Sequence, residues 1–310
     1  MSPPVRVGTR RSPLARRQSG DVAAALEQRL GRPVELVEVT TRGDVDSSPL
    51  VSIGGAGVFV SALREALLDG RVDVAVHSLK DLPTAPADGL TLAAVPGRED
   101  PRDALCARDG HTLATLPAGA SVGTGSPRRA AALRGVRDDL VVADIRGNVD
   151  TRLGMVADGL LDAVLLACAG LARLERESAI TERVDPQVMM PAPGQGALAV
   201  EAREDAALDL AEALLGLDDG ATRAAVTAER GLLAALEVGC SAPVGALAAV
   251  DGSTVTVTAA VYSRDGGPPL SGHHHGHLDD AVEVGRHLAL TLLTDGAAPA
   301  ASPYTEERAQ

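Results

Sequence analysis

The chain has 310 residues and a formal net charge of −13, from 42 acidic and 29 basic residues. That length supports two or three domains with their own cores, and the charge argues against nucleic acid or an anionic membrane as partner. There is no run of about 18 uncharged apolar residues, no apolar stretch behind the paired arginines of RVGTRRSPLARRQSG, and no metal-ligand spacing among the three cysteines. The expectation is a cytoplasmic globular protein without disulfides.

Residues 4–10 (PVRVGTR) predict a strand, and SPLARRQSGDVAAALEQRLG a helix with Ser12 as N-cap and Pro13 at its first position. VELVEVTT is the next strand, followed by a polar loop and the glycine loop IGGAGVF. SALREALLDG is an amphipathic helix and RVDVAVHS a strand. A second unit follows: LPAGASVGTGSPRRAAALRG as strand, glycine turn and helix, LVVADIRGNVDTRLGMVADG as strand, loop and helix, and LLDAVLLACAG as a strand. This alternation predicts an α/β architecture with largely parallel sheets. DGRVDVAVHS and DGLLDAVLLA share an Asp-Gly turn, a later Asp and a buried strand, which favours two similar domains over one large sheet.

VPGREDPRD (95–103) and MMPAPGQGAL (189–198) are clusters of Pro, Gly and charge that suit two crossings between these domains, and hence a hinged cleft for a ligand. From about Asp218 a third, α+β region is predicted. It has the helix TRAAVTAERGLLAALE, a loop, the strands VGALAAV and TVTVTAAVYS and the helix LDDAVEVGRHLALTLLTDG, with a frayed tail after Ala297.

Of the 29 basic residues, 28 are arginine; Lys80 is the sole lysine and Phe59 the sole phenylalanine. A coding bias toward arginine explains the general trend. It leaves Lys80 as a candidate, because arginine cannot imitate a compact ammonium. In AVHSLKDLP a buried strand brings His77, Ser78, Lys80 and Asp81 to one strand end before Pro83. Lys80 and Asp81 read equally as a surface ion pair or as an anchor for an anion beside a carboxylate for a developing cation. His77 reads as a core residue.

Arg10 and Arg11 follow the first strand. Arg128 and Arg129 follow GTGSP with Ser126 as N-cap, Arg146 and Arg152 flank GNVDT, and Arg173 follows the strand carrying Cys168. Ligands bind beyond the carboxyl ends of such strands. A gathering of arginines there favours a polyanionic small ligand held by paired hydrogen bonds. GTGSPRR lacks the lysine of a P-loop. SGHHHGH (271–277) reads as a solvated loop rather than a metal site, so no metal is expected. Cys106 and Cys168 sit in apolar runs as inert thiols, whereas Cys240 lies in EVGCSAPVG, an accessible loop.

TRRSPLA, TRGD, AVHSLKDLP, REDPRD, VGTGSPRR, IRGNVDTRL, MPAPGQGAL, TAER and LEVGCSAPVG occur in this order. With them, residues from about 5 to 250 closely resemble the porphobilinogen deaminase (hydroxymethylbilane synthase) family. The resemblance implies two binding-protein-like α/β domains joined by a hinge, 1–96 with 197–217 and 100–191, and an α+β domain at 218–310. It implies a dipyrromethane cofactor joined to Cys240 by a thioether. Four porphobilinogen molecules would be added head to tail, each losing ammonia to give an azafulvene cation, before hydrolysis releases hydroxymethylbilane. Asp81 matches the catalytic aspartate. Ser78, Lys80, Thr124, Ser126, Arg128, Arg129 and Arg146 match positions that hold the cofactor. Arg10, Ser12, Arg152 and Arg173 match positions that hold substrate carboxylates, Phe59 an aromatic near a pyrrole, and Gln195 a residue facing the cleft. The family expectation is a monomer with porphobilinogen as its partner.

Ala56 stands where many relatives have lysine and Gly125 where serine is common, so a charge is absent at the first place and a hydroxyl at the second. Two rival readings differ in class. A non-catalytic binding protein or regulator for an anionic metabolite suits the same arginines and predicts an unmodified Cys240. A Schiff-base enzyme would need the Lys80 pKa lowered, which Asp81 and nearby anions oppose.

Overall fold

The computed structural model describes residues 3–40, 57–237, 242–263 and 266–297, without the side chains of 57–59. Cys240, Ala56, the Phe59 side chain and the tail after Ala297 therefore lie outside the described residues.

Strand β1 (Val5–Thr9) leads into helix α1 (Pro13–Leu30). Ser12 Oγ accepts from Ala15 N at 3.3 Å, Pro13 occupies the first turn, and Gly31 at φ 62° donates its N–H to Glu27 O. These are the start and stop signals read in the sequence. Next come β2 (Val34–Glu38), α2 (Gly57–Leu68) and β3 (Val74–Ser78). A 3-10 turn over Leu79–Asp81 and β4 (Leu90–Ala94) follow. The chain continues through β5 (Asp103–Ala107), β6 (Ser121–Gly123), α3 (Pro127–Val136), β7 (Val141–Ala143) and α4 (Val149–Ala157). Then come β8 (Ala163–Ala167), α5 (Cys168–Arg173) and β9 (Glu182–Arg183). The remaining elements are β10 (Leu198–Arg203), α6 (Leu208–Leu215), α7 (Gly220–Ala235), β11 (Val244–Asp251), β12 (Thr254–Val261), β13 (Leu270–His277) and α8 (Ala281–Thr294).

The chain divides into two compact units, residues 1–98 with 197–223, and 99–196 with 224–310. The first has a five-stranded sheet in the order β2-β1-β3-β10-β4, and the second one in the order β7-β6-β8-β5-β9. Both repeat one pattern. β1 runs parallel to β2 and β3, and β10 antiparallel to β3 and β4. Likewise β6 runs parallel to β7 and β8, and β5 antiparallel to β8 and β9. The sheets are thus mixed rather than largely parallel, because in each a strand of opposite direction is inserted beside the third of the parallel set. In the first unit Val5, Val7, Val74, Val76 and Val200 pack with Leu26 of α1 and Leu214 of α6. Most of these carry branched side chains that suit a sheet covered by helices.

The second unit also holds the three-stranded antiparallel sheet β11-β12-β13, whose core joins Val255 and Val257 to Leu232 of α7 and Leu288 of α8. A Cβ on Gly285 would meet Leu232 N at 2.7 Å, so this glycine is what allows α8 to lie against α7 so closely. Ala260 and Tyr262 reach the core of the β6 sheet, where the Tyr262 hydroxyl accepts from Met190 N at 2.8 Å.

The tract 271–277 is strand β13, not a loop: it pairs with β12 from Thr254↔His277 to Val261↔Leu270. Its glycines supply the inward positions of a period-2 pattern that the polar composition conceals. Cys168 does not end a strand; β8 stops at Ala167 and Cys168 opens α5, so Arg173 is the last residue of a helix. Among the described residues no helix is long and apolar enough to cross a membrane.

Candidate functional site

In the first unit the candidates gather at one end of the sheet. The register Val7↔Val74 and Gly8↔Ala75 aligns β1 with β3, so Arg10 and Ser12 leave the same carboxyl edge as Ser78, Lys80 and Asp81. The first four residues of β3 are buried, while Ser78, Lys80 and Asp81 are half-buried on the turn. Gln18, a buried residue of α1, donates from Nε2 to Ser78 Oγ at 3.0 Å. Sequence reasoning passed over Gln18. Its signal was a polar residue on the inner stripe of a helix beside Val22 and Leu26.

His77 is a core residue, as expected. Its Nε2 lies 3.2 Å from Glu201 Oε2 on β10, and Arg64 of α2 grips the same carboxylate through Nε at 3.0 Å and Nη2 at 2.8 Å. Burial by itself would raise the Glu201 pKa; hydrogen bonds and charges from His77 and Arg64 overcome it and hold the group at about 2. Glu201 therefore contributes stability that is fully present above its ordinary value of 4.5 and is lost as pH falls through about 2. In denaturant titrations Glu201→Gln should be less stable than the parent above pH ~5, with the gap closing as the pH is lowered toward 2. A gap independent of pH would contradict this.

In the second unit the centre is Asp103, a residue with no solvent exposure at the start of β5. The register Asp103↔Ala167 puts it level with the carboxyl end of β8. β6 ends at the same edge, and Thr124 Oγ1 accepts from Ser126 N at 3.1 Å to shape the turn into α3. Ser126 caps that helix, accepting from Arg129 N at 3.4 Å, with Pro127 in its first turn. The cap directs two successive arginines inward, 3% and 6% exposed. Arg128 Nη1 donates to Asp103 Oδ2 at 2.8 Å and to Met190 O at 2.7 Å, and Nη2 to Asp103 Oδ1 at 3.1 Å. Arg129 Nε donates to Asp103 Oδ1 at 2.9 Å and Nη1 to Leu165 O at 2.9 Å. Gln195, 1% exposed, donates from Nε2 to Asp103 Oδ1 at 2.9 Å and to Pro101 O at 2.7 Å. Burial would raise the Asp103 pKa, but the two guanidiniums hold it well below the usual carboxylate range.

One carboxylate facing two guanidiniums leaves this buried cluster with an excess positive charge. Arg128 Nε is buried without a hydrogen-bond partner. More positive charge stands nearby. Burial first, then repulsion from Arg129 and Arg146, lowers the Arg152 pKa. Arg152 projects from the first turn of α4, whose N-cap Asn148 accepts from Thr151 N at 2.9 Å, and its Nε donates to Gly147 O at 2.9 Å. Arg146 is exposed. Arg173, at the end of α5, donates from Nη2 to Gly196 O at 2.8 Å. Such a set suits an anion with several carboxylates.

Sequence reasoning missed Asp103 as a hub and Glu229 altogether. Glu229, on α7 and without solvent exposure, accepts from Gly194 N at 2.6 Å and Ala248 N at 2.8 Å. It ties the stretch that carries Gln195 to β11. In both cases the signal was an acidic residue in a buried setting, at the head of the apolar run ALCA and on the apolar stripe of a helix between Ala225 and Leu232. Cys106 and Cys168 are buried, and burial pushes their thiols up to about 12 and about 11, which fits inert groups.

Two family models match the chain: "Porphobilinogen deaminase, dipyromethane cofactor binding domain" over residues 5–209 and "Porphobilinogen deaminase, C-terminal domain" over 223–294. Porphobilinogen deaminase of Leifsonia xyli subsp. xyli is 53% identical over 306 residues, covering 95% of this chain and 93% of that protein. Porphobilinogen deaminase 1 of Streptomyces coelicolor is 54% identical over 307 residues, covering 95% and 96%. Among solved structures, a periplasmic substrate-binding protein of an ABC transporter from Coxiella burnetii is similar at 16% identity and a TM-score of 0.43, over 73% of this chain and 96% of that one. With family models across most of its length and relatives above 50% identity, the chain belongs to the porphobilinogen deaminase family.

Proposed function

We propose that this transferase builds hydroxymethylbilane for tetrapyrrole biosynthesis from four porphobilinogen molecules, with loss of four ammonia molecules, on a dipyrromethane primer held through Cys240. A loop thiolate is a strong nucleophile that can form such a thioether. When bound, the dipyrromethane supplies the free pyrrole carbon at which the chain grows. The observation that carries the reading is the excess positive charge around Asp103. The buried partnerless Arg128 Nε and the mutual repulsion of Arg129, Arg146 and Arg152 fit a group rich in carboxylates.

In this reading the residues divide the work. Asp81 stabilises positive charge on the reacting pyrroles and accepts from their N–H groups. Lys80 and Ser78 beside it, and Thr124, Ser126, Arg128, Arg129 and Arg146, hold the cofactor. Arg10, Ser12, Arg152 and Arg173 hold the acetate and propionate groups of the incoming substrate, and Phe59 packs on a ring. Arg128, Arg129 and Gln195 are already bonded to Asp103. They therefore act with a fixed geometry, and cost little reorganisation when an anion binds. We assign catalysis to 1–96 with 197–217, carboxylate binding to 100–191 and the cofactor loop to 218–310. We infer a cytoplasmic monomer, in line with Cys106 and Cys168 being free thiols.

The test is turnover by the purified full chain supplied with porphobilinogen. Four ammonia molecules released for each hydroxymethylbilane support the reading. Binding of porphobilinogen by the folded protein without ammonia release would instead favour the binding-protein alternative.

A further inference from the structure

The chain has no tryptophan, one phenylalanine and two tyrosines, and of these only Tyr262 has its side chain among the described residues. It follows β12 directly, is 6% exposed, and belongs to the core that also holds Leu133 of α3 and Met189. Phenylalanine would fill that place as well. What tyrosine adds is an acceptor oxygen.

That oxygen makes the first of two links. It accepts from Met190 N at 2.8 Å, and the carbonyl of the same Met190 accepts from Arg128 Nη1 at 2.7 Å. Met190 is buried and precedes Pro191, which restricts its backbone to extended conformations. A stiff residue held at both its N–H and its C=O passes placement from one partner to the other. The second link is through the backbone: Tyr262 N donates to Pro243 O at 2.9 Å, three residues beyond Cys240 in sequence. β11, which begins beside Pro243, meets the same stretch. Ala246 N donates to Pro191 O at 2.9 Å, and a Cβ on Gly245 would collide with Met190 O. Burial above all raises the Tyr262 pKa, against the hydrogen bond from Met190 and the charge of Arg128, so the phenol is neutral at neutral pH.

We propose that Tyr262 is a positioning residue for the primer. It sets the chain that follows Cys240 against Arg128, through Pro243 on one side and Met190 on the other. This role rests on the dipyrromethane reading above, in which Arg128 holds the cofactor. Tyr262 acts through that arginine and not on the reacting pyrroles.

Thermal unfolding of the parent, Tyr262→Phe, Cys240→Ser and the double variant tests this, with intact mass showing which chains carry two pyrrole units. Tyr262→Phe keeps the ring and leaves the buried Met190 N–H without its acceptor. It should lower the midpoint more in the loaded chain than in the Cys240→Ser chain, as coupled groups do. In loaded Tyr262→Phe, kcat should fall about tenfold or more, with KM for porphobilinogen unchanged because Arg10, Arg152 and Arg173 are untouched. Val257→Ala, which opens a cavity in the same strand, should lower the midpoint with parental kcat. Loading lost in Tyr262→Phe but kept in Val257→Ala also supports the proposal. It is overturned by equal midpoint shifts on both backgrounds, by parental kcat in loaded Tyr262→Phe, or by loading lost in both variants. A parent chain without pyrrole units or turnover would instead defeat the dipyrromethane reading, and this proposal with it.

Discussion

Asp81→Asn is expected to lower hydroxymethylbilane formation by about 10²–10³-fold while leaving the protein folded. Asp81 stands half-buried on the turn that ends β3, so the substitution removes a charge and leaves the core intact. Asparagine keeps the shape and one acceptor oxygen but cannot offset a cation. The unfolding free energy should change by no more than about 0.5 kcal/mol, as for other substitutions outside the core. Borohydride should trap no imine on Lys80 in either protein. A folded Asp81→Asn enzyme with near-parental turnover would remove Asp81 from the chemistry and reopen the binding-protein reading.

The largest stability effect is expected at Asp103. Asp103→Asn leaves two buried guanidiniums without their shared counter-charge, and breaking a buried ion pair this way costs about 3–5 kcal/mol. The Asp103 pKa is depressed in the folded protein. Its contribution is therefore present above the ordinary aspartate value near 3.8 and lost as pH falls through the lower folded value. Denaturant unfolding of the parent and of Asp103→Asn at neutral pH and near pH 3 checks both claims: a large gap at neutral pH that narrows in acid. Equal midpoints at neutral pH would mean that Arg128 and Arg129 do not depend on this carboxylate. Replacing Arg128, Arg129 and Asp103 together by apolar residues should cost less than Asp103→Asn alone, because no unpaired charge is then left buried.

What could be read in the sequence was set by local rules. Ser12 with Pro13 and Ser126 with Pro127 announce helix starts through capping chemistry, and both helices begin there. The run VAVHS announces a buried strand, and Ser78 ends it. Features that depend on pairing partners were hidden. The direction of β5 and β10 is fixed by where the chain returns to the sheet, which local composition does not encode. β4, β5, β9 and β10 passed unnoticed for the same reason, since short strands gain their stability from neighbours. β13 was masked by polar residues, though its glycines alternate with the period of a strand. For the site, the arginines stood out because the chain is acidic. That Arg128 and Arg129 converge on Asp103, and that Gln195 completes the cluster, depends on contacts 25 to 92 residues apart in sequence. Gln18 against Ser78, 60 residues apart, is the same case.

The most direct measurement is the intact mass of the freshly purified protein, with mapping of the peptide that contains Cys240. An excess equal to two pyrrole units, confined to that peptide, is the predicted result. A Cys240 that stays unmodified, even after incubation with porphobilinogen, would contradict the account.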